Sequence, residues 1–151
     1  MGAYAAGSGA GAGSATGSRV ARLAQAFGMP VLACDPFVDD AKIRSLGATK
    51  VSLETLLVQS DFVSVHCPRD ASTMAMFNAR TYAAMKRGAI FISTARGGIH
   101  DEAALADALA SGHLAGAGLD VWHPEPPPVD SPLLRFDNVV AFFFNDTATT
   151  E

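Results

Sequence analysis

The sequence predicts an α/β fold in which helices pack on both faces of a parallel sheet. Short apolar runs of β-prone residues, at 31–34, 62–65 and 90–92, alternate with segments that carry apolar residues at helical spacing. Strands that are buried on both faces read as such continuous apolar runs. The alternation is typical of successive βαβ units, and it therefore predicts a Rossmann-like, doubly wound sheet.

The first sixteen residues differ in composition from the rest of the chain. They are almost entirely Gly, Ala and Ser, and no run of Val, Ile or Leu among them would make a buried strand. We therefore predict a sheet that is incomplete at its first strand. Gly11, Gly13 and Gly17 read G-x-G-x-x-x-G, one residue longer than the dinucleotide fingerprint. Two interpretations stay open: a Gly-rich linker, or a phosphate-binding turn in which Gly13 and Gly17 contact a cofactor.

A helix and then a strand with an acidic end follow this segment. Apolar residues at helical spacing predict the helix from about Gly17 to Gly28: Val20, Leu23, Ala24 and Phe27. The apolar run after it leads to Asp35, which is followed by proline. A carboxylate there suits the ribose diol of a bound dinucleotide and repels a 2′-phosphate, which favours NAD over NADP. The alternative is that Asp35 only shapes the turn before the proline.

The segment from Ala89 to Pro126 reads as one βαβ unit. Its first strand, at 90–92, runs into residues 94–98, where paired glycines allow a tight turn. Asp101 is a good N-cap for the helix that follows, and residues 117–121 return as the next strand. The unit therefore brings the ends of two parallel strands to one edge of the sheet.

Charged residues follow both strands of this unit. Arg96 comes soon after the first strand, and Asp120 and Glu125 lie at and beyond the end of the second. Open α/β sheets bind their ligands at the carboxyl ends of the strands. An arginine there can hold a carboxylate through two parallel hydrogen bonds, although Arg96 on its own would be interpreted as a surface cation. The motifs around Arg96 favour the first interpretation.

The order of these motifs resembles one known family. TARGG, DEAAL, SGHLAGAGLDVW and PEPPP follow one another as in the NAD-binding domain of the D-isomer-specific 2-hydroxyacid dehydrogenases, especially those like D-3-phosphoglycerate dehydrogenase. The resemblance implies three regions: a segment of doubtful order at 1–16, a partial NAD-binding domain at 17–141, and a tail at 142–151 that does not match. The family's substrate-binding domain is expected to be absent from this chain.

Carried over by position, the resemblance implies a site for NAD and an acid substrate. Arg96 is implied to hold the substrate carboxylate, and Glu125 to orient the catalytic base. The residues implied to line the cofactor are Cys67, Pro68, Thr94, Ala95, Arg96 and Asp120. Cys67 is expected to be a buried thiol that does not react, and His66 a hydrogen-bonded residue at a strand end. No metal site is predicted.

The catalytic base itself has no counterpart in the chain. Phe144 stands where the family carries its histidine, and none of the other candidates falls on the strand that should deliver a base: His100, His113 and His123. The resemblance implies an oxidoreductase that transfers a hydride between NAD and a D-2-hydroxy acid, with this chain inactive as given. Two alternatives remain: a non-catalytic NAD-binding sensor of the corepressor type, and a truncated structural fragment.

Composition limits the partners and the compartment. A formal charge of −4 argues against nucleic acid and against an anionic membrane surface. No apolar run approaches membrane-spanning length. Cys34 and Cys67 are predicted to be free thiols, which indicates a reducing compartment and favours the cytoplasm. The resemblance adds a 2-hydroxy or 2-oxo acid as the substrate and a possible homodimer through the nucleotide-binding domain.

Overall fold

A computed structural model describes residues 2–5 and 15–142 of the chain. The strands in this part are β1 (Gly2–Ala5), β2 (Leu32–Cys34), β3 (Thr49–Lys50), β4 (Phe62–Val65), β5 (Ile90–Ser93), β6 (Gly116–Leu119) and β7 (Val139–Ala141). The helices are α1 (Ala15–Ala26), α2 (Asp40–Ser45), α3 (Leu53–Gln59), α4 (Ala79–Ala84) and α5 (Glu102–Ala110), and a 3-10 helix spans Pro132–Arg135. The alternation of strand and helix that the sequence predicts is confirmed.

The strands form one parallel sheet in the order β3-β2-β1-β4-β5-β6-β7. From β1 the chain winds first to one side of the sheet, through β2 and β3, and then crosses to β4 and continues to the other side. This is the doubly wound arrangement, in which ligands bind at the point where the winding reverses. The reversal lies between β1 and β4.

The predicted gap at the first strand is wrong. Gly2–Ala5 forms β1 at the centre of the sheet, where Tyr4 is the Cα partner of both Ala33 and Ser64. A central strand is held by backbone hydrogen bonds on both sides, and these do not require large apolar side chains. A rule that looks for Val, Ile and Leu therefore misses this strand. Gly13 lies outside the described residues, and the region boundaries at 16 and 141 stay predictions.

Six neighbouring strands reach their carboxyl ends at the same level. Their last residues are Cα partners along one row of the sheet: Cys34, Ala5, Val65, Ser93, Leu119 and Ala141. The residue that follows each strand therefore emerges along a single edge. This carboxyl edge is where a doubly wound sheet presents its functional side chains.

Two hydrophobic clusters of different size hold the helices on the sheet. The larger one joins α3, α4 and α5 to the strands, and its fully buried side chains include Phe77, Tyr82, Phe91, Leu105 and Trp122. The smaller one joins α1 and α2 to the sheet through Ala21, Val31, Ala33, Val38, Ile43 and Ala48. The large aromatic side chains that are buried thus belong to the cluster that packs α3, α4 and α5 on the sheet.

The predicted helix at 17–28 is confirmed as α1, but its inner face differs from the apolar pattern. Gly17 and Ala21 are buried, whereas Leu23 and Phe27 are 62% and 81% exposed. Small residues on the inner side allow a helix to lie close to the sheet, and the larger apolar residues then face outward. No helix in the described part of the chain is long and apolar enough to cross a membrane.

Candidate active site

The candidate site consists of the residues that follow the strands along the carboxyl edge. Asp35 follows β2, His66 follows β4, Thr94 follows β5 and Asp120 follows β6. Neighbouring strands are about 4.8 Å apart, so the positions of Asp35 and Asp120, four strands apart, are separated by roughly 19 Å along the edge. An edge of this length suits an extended dinucleotide better than a compact ligand.

Asp35 is buried at the end of β2, with 3% of its surface exposed. Its Oδ1 accepts a hydrogen bond from the backbone N of Phe37 at 2.9 Å, which is the turn-shaping contact that the alternative interpretation predicts. This bond uses one of the two carboxylate oxygens, so shaping the turn and binding a ribose do not exclude each other. Residues 35–39, which we call the β2 loop, lead into α2, where Asp39 is the N-cap. The ribose role of Asp35 stays a prediction.

His66 connects the ends of β4 and β5. Its Nε2 lies 2.8 Å from Ser64 Oγ, and its Nδ1 lies 3.3 Å from Thr94 Oγ1. The ring is 8% exposed, and burial lowers the pKa of His66 from 6.5 to about 4. The imidazole is therefore neutral at pH 7. A neutral ring with contacts at both nitrogens agrees with the predicted strand-end role and positions the Thr94 hydroxyl at the edge.

The next two residues complete the turn after β4. Cys67 is 3% exposed, and burial raises the pKa of its thiol to about 11. A thiol of that pKa carries almost no thiolate at neutral pH and is a poor nucleophile, so the predicted buried thiol is confirmed. Pro68 is exposed, and its carbonyl accepts a hydrogen bond from Thr73 Oγ1 at 2.8 Å. The contact of both residues with a cofactor stays a prediction.

The connection after β5 is built around a close approach between two segments of backbone. We call residues 94–101 the β5 loop. A Cβ atom on Gly97 would overlap the carbonyl group of Trp122, so only glycine fits at that position. Gly98 has a φ of +83°, in the left-handed region that favours glycine. The two glycines therefore serve different purposes. Gly97 leaves room for the backbone of the segment after β6, and Gly98 adopts the left-handed conformation that the turn requires.

Arg96 extends from the β5 loop with an exposed side chain. Its Nη1 donates a hydrogen bond to the Ala95 carbonyl oxygen at 2.8 Å, and the guanidinium retains further donors. Among residues 2–5 and 15–142, no carboxylate forms an ion pair with it. Thr94 is exposed beside it, whereas Ala95 is only 8% exposed. An exposed guanidinium at the carboxyl edge can bind an anion.

Asp120 and Glu125 lie on the segment that follows β6. Asp120 is half-buried, and its backbone N donates to the Ser93 carbonyl oxygen at 3.0 Å. Glu125 is exposed on the proline-rich loop. Trp122 Nε1 donates to the Phe142 carbonyl oxygen at 3.1 Å and so ties this segment to the end of β7. The His, Cys, Asp and Glu side chains of the described residues form no group of three that could hold a metal ion.

Glu102 contributes to the site in a way that sequence reasoning misses. An acid in the first turn of a helix is usually interpreted as a response to the helix dipole. In the structure, Glu102 Oε1 also accepts a hydrogen bond from the backbone N of His123 at 2.7 Å. Burial raises the pKa of the Glu102 carboxyl, and the hydrogen bond from His123 opposes that shift. Glu102 therefore anchors the segment that carries Glu125 to the start of α5.

The remaining predicted residues do not directly follow a strand, or they lie outside the described part. Gly17 is in the first turn of α1, and Phe144 is not among the described residues. His100 is 2% exposed, and its ring centroid lies 5.8 Å from that of Phe91. Neither ring nitrogen of His100 has a hydrogen-bond partner in the described residues. Its burial in the core agrees with the expectation that it does not replace the catalytic base.

Comparison with known proteins supports this interpretation of the fold. The family model described as D-isomer specific 2-hydroxyacid dehydrogenase, NAD binding domain, matches residues 9–142. Two curated relatives are the D-3-phosphoglycerate dehydrogenase of Archaeoglobus fulgidus, 45% identical over 124 residues, and the glyoxylate reductase of Korarchaeum cryptofilum, 46% identical over 124 residues. A solved structure of holo D-mandelate dehydrogenase from Rhodotorula graminis aligns with a TM-score of 0.80 at 34% identity.

The chain corresponds to only part of each of these proteins. The aligned 82% of the chain spans 24% of the Archaeoglobus enzyme and 37% of the Korarchaeum enzyme. The structural match covers 93% of this chain and 40% of the D-mandelate dehydrogenase chain. The three relatives carry names for three different acids, so similarity alone does not select among them.

Proposed function

Because the chain belongs to the D-isomer specific 2-hydroxyacid dehydrogenase family, as its NAD-binding domain, we propose that it serves an NAD-dependent oxidoreductase acting on a D-2-hydroxy acid or the matching 2-oxo acid. The observation that carries the proposal is Arg96. Its exposed guanidinium lies at the carboxyl edge, directly after the Thr94-Ala95 segment that is proposed to line the cofactor. The substrate-binding part would come from elsewhere in a longer protein.

The side chains at the carboxyl edge fit NAD. Asp35 keeps one carboxylate oxygen for the ribose diol, and its charge disfavours a 2′-phosphate at the same place. Asp120, at the other end of the edge, would accept hydrogen bonds from the nicotinamide carboxamide. Thr94 and Ala95 would line the middle of the edge. NAD, when bound, supplies the hydride acceptor for oxidation of the hydroxy acid.

The chain's own residues would then hold the substrate and its proton-transfer group. Arg96 would bind the substrate carboxylate through two parallel hydrogen bonds and polarise the reacting carbon–oxygen bond. Glu125 would orient the base and stabilise its protonated form. His66 is proposed only to position Thr94, because its pKa of about 4 keeps the ring neutral. The base is the part that this chain is proposed to lack, since Phe144 occupies the family's histidine position.

A second candidate function is favoured by that substitution. A domain that binds NAD without a catalytic base would suit a sensor, in which the cofactor controls assembly instead of turning over substrate. The third interpretation is a fragment that binds nothing. A titration of this chain with NADH distinguishes them: the enzyme domain and the sensor both shift NADH fluorescence at micromolar protein, whereas an inert fragment leaves it unchanged.

Turnover separates the enzyme domain from the sensor. We would build a chimaera in which this chain replaces the matching segment of the Archaeoglobus enzyme. A second chimaera would carry Phe143→Pro and Phe144→His in addition. The proposal expects 2-hydroxy acid–dependent NAD reduction only with the restored pair. Arg96→Met in that chimaera should lower kcat/KM by about 100-fold or more, through loss of charge-assisted hydrogen bonds. If Arg96→Met had no effect, the enzymatic assignment would be wrong.

The partners and the compartment of the protein are part of the same proposal. Free cysteines at positions 34 and 67 support a reducing compartment such as the cytoplasm. The net charge of −4 supports the absence of nucleic-acid and membrane partners. Pairing of two copies through the nucleotide-binding domain is proposed from the family resemblance, and sedimentation of the purified chain would test it.

A further inference from the structure

A second arginine contacts the β5 loop, which carries Arg96. Arg69 Nη1 donates a hydrogen bond to the Gly97 carbonyl oxygen at 3.1 Å, one residue after Arg96 in the loop. Arg69 Cδ also lies 3.7 Å from the position that a Cβ atom on Gly98 would occupy. The side chain of Arg69 therefore crosses the loop from the turn after β4 and ends at its backbone. The two guanidinium groups are anchored on carbonyls only two residues apart, Ala95 and Gly97.

Neither of these guanidinium groups is neutralised by an ion pair in the described residues. Arg69 and Arg96 are both exposed, and the ion pairs in this part of the chain involve other side chains. The acid nearest in sequence, Asp70, directs its Oδ1 to the backbone N atoms of Ser72 and Thr73. Two positively charged side chains are thus held by the same loop, in a chain whose net charge is −4. Such a pair attracts a ligand that carries two negative charges.

From this geometry we propose that Arg69 is a specificity-determining residue that binds a second anionic group of the substrate. The inference rests on the proposed function, in which Arg96 holds the carboxylate next to the reacting carbon. Arg69 uses one N–H on Gly97 and has further donors for a phosphoryl group or a second carboxylate. The preferred substrates are then 2-hydroxy acids that carry another anionic group, and acids such as D-lactate or D-glycerate bind less tightly.

The test compares acids with one and two anionic groups on an NADH-saturated chimaera, in which this chain replaces the matching segment of the Korarchaeum glyoxylate reductase and so gains a substrate-binding part. Isothermal titration with D-glycerate, 3-phospho-D-glycerate and D-malate gives three dissociation constants for each variant. For the chimaera without substitutions we expect at least one doubly anionic acid to bind about tenfold tighter than D-glycerate, since one charge-assisted hydrogen-bond set is added. Phosphoglycerate as the tighter of the two indicates a phosphoryl site, and D-malate as the tighter indicates a site for a second carboxylate.

Arg69→Met should remove that preference and leave the affinity for D-glycerate within about twofold. The ratio of affinities is the decisive readout, because a merely structural tether on the β5 loop would change the binding of all three acids alike. Arg87→Met, at an exposed arginine after α4, is the matched control and should keep the preference. Arg69→Lys should restore part of it, because a lysine keeps the charge without the planar fork.

The outcomes separate this inference from the proposed function. An unchanged preference in Arg69→Met, together with loss of all acid binding in Arg96→Met, overturns the role of Arg69 alone. Absence of acid binding to the NADH-loaded chimaera, or full binding when it carries Arg96→Met, overturns the proposed substrate site and this inference with it. Equal affinity of the chimaera without substitutions for singly and doubly anionic acids overturns the inference and leaves the proposed function standing.

Discussion

Two loops of the carboxyl edge, the β2 loop and the β5 loop, are held in different ways. In the β2 loop, Asp35 bonds the backbone two residues ahead and Asp39 bonds the backbone of Lys42 three residues ahead. A longer contact, from Lys50 Nζ to the Val38 carbonyl oxygen, spans twelve residues. This loop is therefore organised mainly by its own sequence, and its acid can be recognised from turn chemistry alone.

The β5 loop is held by partners that are far away in the chain. Thr94 contacts His66 and Gly97 accepts from Arg69, each across 28 residues. Gly97 also packs against the carbonyl of Trp122, and His100 bridges to Phe77. The loop that would bind the cofactor's ribose is thus shaped locally, whereas the loop that would bind the acid substrate is shaped by tertiary contacts. Substitutions should consequently affect folding strongly at the second and weakly at the first.

The largest effect is expected for Gly97→Ala. The added methyl group would overlap the Trp122 carbonyl, and relief requires the β5 loop to separate from the segment after β6. We expect a loss of more than about 3 kcal/mol in the free energy of unfolding, measured by urea denaturation. Gly118→Ala is the control, because its Cβ would meet Ile92 at 3.8 Å, an ordinary contact, and should cost less than about 1 kcal/mol. Equal effects at the two glycines would contradict the close approach.

A pH-dependent effect is expected for His100→Leu. Burial lowers the pKa of His100 from 6.5 to about 4, so the unfolded chain takes up a proton that the folded chain excludes. The folded state therefore loses stability as the pH falls from 6.5 to 4, and His100 contributes about 3 kcal/mol to that loss. His66 adds a loss of the same sign, since its pKa is also lowered to about 4.

Urea denaturation of both proteins between pH 7 and pH 4 checks this contribution. The His100→Leu variant should be at least as stable as the unmodified chain at pH 7, because the buried ring nitrogens lack partners in the described residues. Between pH 7 and pH 4 the stability of this variant should fall by roughly half as much as that of the unmodified chain. The stability that it still loses through histidine protonation is due to His66. His123→Gln, at an exposed position, is the control. Parallel pH curves for His100→Leu and the unmodified chain would rule out His100 as the cause.

A smaller effect is expected for Glu102→Ala. The variant leaves the backbone N–H of His123 without its carboxylate acceptor and loosens the segment that carries Glu125. We expect a loss of about 2 kcal/mol, as for other hydrogen bonds to charged groups, measured by thermal denaturation. Glu102→Gln keeps an acceptor oxygen and should lose less than half of that. Glu54→Ala, at an exposed acid in the first turn of α3, is the matched control and should stay within about 0.5 kcal/mol.

The smallest effect on folding is expected for Asp35→Asn, at the locally shaped end of the edge. The amide oxygen can still accept from Phe37, so the free energy of unfolding should change by less than about 1 kcal/mol. NADH binding should weaken about tenfold through loss of the charged acceptor, while discrimination against NADPH should decrease. Fluorescence titration with both cofactors measures this. Asp39→Asn, an exposed N-cap, is the control, and equal losses at the two positions would exclude a ribose contact for Asp35.

Most elements of the fold could be predicted from the sequence, because their signals are local. Apolar runs predicted β2, β4 and β5, and Asp101, predicted as an N-cap, accepts from the backbone N of Ala104 at 3.0 Å. The first strand could not be predicted, since GAYA has no apolar run and is held by pairing with β2 and β4. The outward face of α1 could not be predicted either, because the apolar residues that reveal the helix include the exposed Leu23 and Phe27.

The residues of the candidate site also fall into two groups, those with a local sequence signal and those without one. The residues that follow the strands could be named from the sequence, Arg96 and Asp120 among them, because parallel strands share one carboxyl edge. Residues that act through distant partners could not be named: neither Arg69 nor Glu102 belongs to a spacing pattern that points to Gly97 or His123. What reveals their roles is contacts between distant segments of the chain, and these contacts form only when folding brings the segments together.

By itself, the sequence determined the alternation of strands and helices, the family, and the type of chemistry at the strand ends, because each depends on the side chains of a few neighbouring residues. Only the tertiary structure decided that a Gly- and Ala-rich segment forms the central strand and that position 97 accommodates only glycine. It also decided that a second arginine, Arg69, donates to the loop that carries Arg96. The physical reason is that pairing, close approach and charge proximity are relations between residues far apart in the chain, and their free energy exists only in the folded arrangement.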